Sequence, residues 1–186
     1  MSQDFPENAN SSSAPGPSIV PGHAAVAHLR GPFSDEAVEK FVVSLRESLT
    51  AGPPSLGLLF LAPPFQARAR EVLELVRLYG RVPLLAGCSS HALVANGHEI
   101  EREPGLSLGL FHLPGAELHA FHFAARDADS ASGQWASLSG VTPAQSRGWL
   151  IFADPFHMHT DQWLRGWNAE YAPKPILGGL AAGSRG

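Results

Sequence analysis

The sequence predicts an α/β fold: a layered, mixed and mainly parallel sheet with helices on both faces and one antiparallel hairpin. Three observations carry this expectation. Short apolar runs ("LGLLFL", "VPLLAG", "WLIFA") are bounded by proline and glycine, as strands buried on both faces are. Segments of helical spacing stand between them. Residues 106–123, "LSLGLFHLPGAELHAFHF", hold two alternating runs about Pro114-Gly115, which is a hairpin signal. No internal repeat at a fixed period is visible.

The elements follow in order. Residues 1–22 are rich in Ser, Pro, Asn and Gly without apolar periodicity, so a disordered leader is expected there. "HAAVAHL", residues 23–29, reads as a first strand. The segment 34–52 reads as a helix with Ser34 as N-cap and with Asp35 and Glu36 at the positive end of its dipole. Its inward face is Ala37, Phe41, Leu45 and Leu49, and Gly52-Pro53 ends it. A buried strand follows in "SLGLLFLAP", then a helix over 65–80 that buries Val72, Leu75, Val76 and Tyr79 and stops at Gly80. "VPLLAG" is the strand that delivers the chain to Cys88, and "ALVANG" looks like another. After the hairpin come a loop at 126–134, a helical turn at "WASLS" and the strand "GWLIFADP". A helix over 160–171 capped by Thr160 and a last strand in "KPILGGL" complete the series.

Composition narrows the function. The 186 residues are 44% hydrophobic and 16% charged, enough for one globular unit with a core. A net charge of −4, without blocks of like charge, gives no footprint for nucleic acid or an anionic membrane. No apolar run reaches the roughly 20 residues that span a bilayer, and the first residues lack the basic and apolar regions of a signal peptide. The single cysteine needs no oxidising compartment, so a cytoplasmic address is expected.

Several stretches offer chemistry. Gly87-Cys88-Ser89-Ser90-His91 is a near miss to the G-x-S-x-G nucleophile elbow, with His91 in place of the second glycine and a strand rather than a helix behind it. Ser89 or Cys88 could serve a hydrolase or acyl transferase, but a small-residue turn and a packed thiol are the readings preferred here. Asp154, His157 and His159 could ligate a metal, although no second ligand pair supports them, and no metal or cofactor is expected. "GGLAAGSRG" imitates a phosphate loop without its lysine, so its glycines are read as sites of close backbone approach or positive φ. Asp154 differs, because it stands at the carboxyl end of an apolar strand, where open α/β sheets place their ligands. "GCSS" and "GGLA" also follow strands. If those strands are neighbours, three loops of small and polar residues converge on one rim and frame a small-molecule pocket.

On these loops the sequence resembles the FIST family (F-box and intracellular signal transduction). The matching pieces are "GLLFLAPPF", "LLAGCSSHALVANGHEIE", "PGLSLGLFHLPG", "WLIFADPF" and "PILGGLAAG", spanning roughly residues 55–183. The resemblance implies an N-terminal-type α/β domain over 23–186, incomplete at its C-terminus. It also implies a sensory, small-ligand-binding module in signal transduction, without catalysis of its own. Amino acids are among the ligands the family suggests, and a signalling protein is the partner it suggests. A protein-interaction scaffold, as in ubiquitin-ligase members, is the further alternative. By carry-over, Gly87, Cys88, Ser89, Asp154, Pro155, Phe156, Gly178 and Gly179 are motif positions. Ser90 joins them as a candidate ligand contact. His91 departs from the family, which has glycine there. The last strand expected stands six residues before Gly186, where the family continues, and this reads as an interrupted fold.

Overall fold

The computed structural model describes residues 22–124, 126–127 and 134–182. Most of the expected leader and of the loop at 126–134 lies outside these residues, as do Gly183 to Gly186. The chain runs through β1 (Ala24–Arg30), α1 (Asp35–Ser48), β2 (Leu56–Leu61), α2 (Pro63–Gln66) and α3 (Ala69–Gly80). It continues through β3 (Leu85–Ser89), β4 (Ala92–Ala95), β5 (His98–Glu101) and β6 (Gly105–Phe111). The second part holds α4 (Trp135–Ser139), β7 (Trp149–Ala153), α5 (Thr160–Tyr171) and β8 (Ile176–Leu180).

Four strands form one sheet in the order β1-β6-β2-β3. The class is mixed α/β, as expected, but the sheet is not mainly parallel. Only β2 and β3 run parallel, while β6 lies antiparallel to both β1 and β2. The cause is the insertion of β6 between two strands that a helical crossover would otherwise leave side by side. Helices do not cover both faces either. Leu106, Leu108 and Leu110 of β6 face α1 and α3 in one fully buried cluster with Val38, Val42, Val72 and Val76. The other face carries the β4–β5 hairpin, whose Leu93 and Ile100 are paired and buried against Ala62 and Phe60.

That hairpin also corrects the expected one. Asn96 (φ 51) and Gly97 (φ 75) form its two-residue turn, the conformation that Asn-Gly favours between strands. Pro114-Gly115 makes a turn as well, with Ala116 N–H bonded to Leu113 O at 3.2 Å, but residues 117–123 form no strand. β6 takes its partners from β1 and β2 instead.

In α1, Ser34 caps the helix as expected, accepting from Ala37 N–H at 3.2 Å. Its buried face is Val38, Val42 and Leu45, one residue round from the Ala37–Phe41 ladder. The apolar arc is wider than one ladder, and its centre meets the sheet. α3 buries Val72, Val76 and Gly80, with Leu75 and Tyr79 half-buried at the margin. Thr160 is the first residue of α5 rather than its cap; His159 holds the cap position without a side-chain bond.

β7 and β8 pair parallel as a separate two-stranded sheet, with α5 across one face. Trp163, Trp167 and Tyr171 of α5 pack with Trp135, Ile151 and Ala153, and the rings of Phe121 and Phe123 stack into the same cluster. Glu170 closes this part, accepting from the Trp135 and Ala136 amides at 2.7 and 2.8 Å.

The two parts repeat one plan that the sequence does not display. β2–α3–β3 and β7–α5–β8 are both strand–helix–strand units with a parallel pair. The helices are 12 residues each, and Val72, Val76 and Gly80 find counterparts at the same spacing in Trp163, Trp167 and Tyr171. Leu59 is opposite Gly87 in one pair, and Ile151 is opposite Gly178 in the other.

Candidate functional site

The motif glycines are explained by strand pairing. Gly87 has φ +148, and a Cβ there would lie 1.8 Å from the Leu59 carbonyl oxygen. Gly178 has φ +149, with the Ile151 carbonyl oxygen 1.7 Å from its would-be Cβ. No side chain fits at either position, and the backbone conformation itself favours glycine. Gly179 is different: nothing stands within 4 Å of its missing Cβ.

Cys88 and Ser89 lie inside β3 rather than in a loop beyond it, and Gly178 and Gly179 lie inside β8. Ser90 is the first residue past β3. Its N–H bonds Leu61 O at 2.9 Å, and its hydroxyl donates to Ala92 O at 2.6 Å, so it holds the corner into the hairpin. Asp154 is the first residue past β7. Its Oδ1 accepts from Phe156 N–H at 2.8 Å and its Oδ2 lies 2.7 Å from His157 Nδ1, an Asx-type turn over Pro155. The ring of Phe156 is exposed.

Backbone bonds bring these three strand ends together. Ala181 N–H donates to Ala153 O at 2.8 Å, and Ala182 N–H donates to Ser89 O at 2.9 Å. Phe60 of β2 and Phe152 of β7 meet edge to face at 5.5 Å between the two sheets. Beside this junction opens a cavity of about 980 Å³. Gly87, Cys88 and Asp154 line it, whereas Ser89, Ser90, Pro155, Phe156, Gly178 and Gly179 stand outside its wall. The wall also includes β7, the whole stretch 115–123, residues 84–86 before Gly87, and residues 145–148, with Met158 and Ala181.

The sequence did not mark residues 115–123 or Arg147 as site residues. The signal was there for the first: an alternating run whose pairing partner was assumed to be its neighbour. For Arg147 no local signal exists.

The electrostatics oppose thiolate chemistry. Burial pushes the Cys88 thiol above its ordinary range, which favours the neutral form. Among the described residues the Cys88 thiol is free and half-buried, and neither its side chain nor that of Ser89 makes a hydrogen bond. The hydrogen bond with His157, then that from Phe156 N–H, hold the Asp154 carboxyl below its ordinary range. Asp154 therefore presents an anion at the cavity mouth and Arg147 a cation. Among the described residues no group of three His, Cys, Asp or Glu side chains could hold a metal. His157 is engaged with Asp154, and His159 leads into α5 apart from them.

Comparison with known proteins agrees with the motif reading. The family model described as "FIST N domain" matches residues 55–186. An uncharacterized protein of Mycobacterium tuberculosis (strain ATCC 25618 / H37Rv) is 25% identical over 142 residues, covering 75% of this chain and 36% of that protein. An uncharacterized protein of Mycobacterium bovis is 26% identical over 156 residues, covering 83% of this chain and 39% of that protein. The chain thus spans well under half the length of these relatives. No solved structure matches it. Among the described residues no helix is long and apolar enough to cross a membrane.

Proposed function

The chain belongs to the FIST N-domain family, and from that premise we propose that it is a cytoplasmic sensory module that binds a small ligand and reports it to a signalling partner. The observation that carries this reading is the cavity of about 980 Å³ lined by β3, β7 and residues 115–123. Its size suits a small organic molecule. Phe121, Phe123, Trp149 and Phe152 give its wall an apolar, aromatic part, and Asp154 and Arg147 stand among its polar residues with Glu117, His119, His122, Gln145 and Ser146. That arrangement fits a ligand with an apolar body and a charged head, and amino acids are one such class. The raised Cys88 thiol supports binding over thiolate catalysis in this reading.

A thermal-shift screen with amino acids and small metabolites tests the proposal. Stabilisation by a ligand recovered unchanged, and lost in Asp154→Ala or Arg147→Ala, is the expected result. Turnover of any ligand that disappears in Cys88→Ala or Ser89→Ala would replace the sensor by a hydrolase or acyl transferase.

A further inference from the structure

The repeat of strand–helix–strand units has a consequence at the place where it breaks. In the first unit the order is β1-β6-β2-β3, so β6 occupies a lane between β1 and β2. The second unit supplies counterparts to three of those four strands. β7 corresponds to β2 and β8 to β3. Residues 117–123 correspond to β1: they precede the unit and turn Phe121 and Phe123 toward its helix, as β1 turns Ala25 and Ala27 toward α1 and α3. Among the described residues nothing corresponds to β6. The cavity lies at that lane: residues 115–123 and β7 line it, together with Leu56 and residues 84–88 at β3.

The backbone on both sides is in the state such a lane predicts. Residues 117–123 make no backbone hydrogen bond to any described residue and form no strand, although their alternation is that of one. In β7, Trp149 N–H and Ala153 O point toward β8. By alternation the amides and carbonyls of Leu150 and Phe152 point the other way, into the cavity. Their counterparts in the first unit, Leu58 and Phe60, are paired with Gly109 and Ser107 of β6.

We propose that this cleft is a strand-acceptor site. It takes an extended polypeptide segment that enters antiparallel to β7, pairs with Leu150 and Phe152 on one side and with residues 117–123 on the other. β6 shows what fits: its leucines alternate with Gly105, Ser107 and Gly109, the leucines facing the helices and the small residues the opposite face. The occupant is therefore a strand-forming segment in which apolar residues alternate with small ones. The longer relatives carry additional chain in which such a segment can lie. The segment shares the cavity with the proposed small ligand, the segment along β7 and the ligand at Asp154 and Arg147.

The test adds a peptide carrying residues 105–111, flanked by lysines for solubility, to the full chain and follows amide hydrogen exchange. The expected result is exchange slowed about tenfold or more at 117–123 and at Leu150 and Phe152, with β1 and β6 unchanged. The same peptide with proline at the Gly109 position, which removes an N–H and distorts the strand, gives no protection. Three results overturn the proposal: no protection, equal protection by the proline peptide, or protection of the lane by the protein alone as its concentration rises, which would make the occupant a second copy. A failed ligand screen leaves the exchange result intact, and the converse also holds, so the two proposals fall separately.

Discussion

Gly87 and Gly178 are placed in the chain by one steric fact, the approach of a neighbouring carbonyl to less than 2 Å from where a Cβ would be. Alanine at either position must displace a paired strand and adopt an unfavourable φ. Gly87→Ala and Gly178→Ala should each cost about 3 kcal/mol or more, read as a shift of the urea midpoint. Gly179→Ala, next in sequence but facing open space, should change stability by no more than about 0.5 kcal/mol. If all three behaved alike, the strand-pairing account of the motif would fail. Charge gives a second residue-scale prediction with two opposite signs. The Cys88 thiol is raised by burial, so its contribution to stability is complete below the unfolded thiol's range and fades as pH rises through it toward the folded value. The Asp154 carboxyl is lowered, so its contribution is present above the unfolded carboxyl's range and fades as pH falls. Urea midpoints across pH should lose the alkaline slope in Cys88→Ala and part of the acid slope in Asp154→Asn.

Among the elements, the β4–β5 hairpin depends most on side chains for its place. Asn96 Nδ2 donates to Val26 O at 2.6 Å from the turn. His28 sits between the layers, with Nδ1 2.6 Å from the hydroxyl of buried Ser107 and Nε2 3.1 Å from His98 O. The carbonyl can only accept, so Nε2 carries the proton and Nδ1 accepts from Ser107. Removing His28 strands a buried hydroxyl, which costs about 1–3 kcal/mol; removing both groups strands nothing. A double-mutant cycle of His28→Ala and Ser107→Ala should therefore show coupling of about 1 kcal/mol or more. Additive effects would mean that the hydrogen bond between Ser107 and His28 contributes nothing to stability. The elements also show what the sequence could reveal. Helix caps, strand runs and turns were legible because they depend on near neighbours: Ser34 reads as a cap from Ser34-Asp35-Glu36 alone. Partner choice was not. "LSLGLF" looks the same whether it pairs with the run after Pro114 or slides between β1 and β2, since that decision rests on contacts distant in sequence.

At the scale of the whole molecule, the two repeated units are unequally finished. The first has its four strands paired and a cluster with eight side chains at 0% exposure. In the second, Leu177 and Leu180 of β8 are 71% and 53% exposed, and Leu150 of β7 is 41% exposed. The buried indole N–H groups of Trp135, Trp149, Trp163 and Trp167 find no acceptor among the described residues. Native-state hydrogen exchange should accordingly be faster in β7 and β8 than in β6, by about an order of magnitude or more. Equal protection throughout would mean one cooperative block. Of the candidate site, the meeting of the three strand ends was legible because each end is marked by small residues after an apolar run. Its long wall, residues 115–123, was hidden. The repeat was hidden as well, because valines in α3 and tryptophans in α5 do the same work with no shared letters.

The central place of β6 also decides when the first sheet can form during synthesis. β1 and β2 leave the ribosome early, yet their common neighbour is complete only at Phe111. Until then the two strands have no partner between them, and the apolar faces of α1 and α3 have only part of a sheet to cover. A nascent chain paused before Gly105 thus leaves that apolar surface uncovered, and one paused shortly after Phe111 has cleared the exit tunnel can close it. Only β2 and β3 can pair in the order of synthesis; β1 has to wait for β6, the last strand of the sheet.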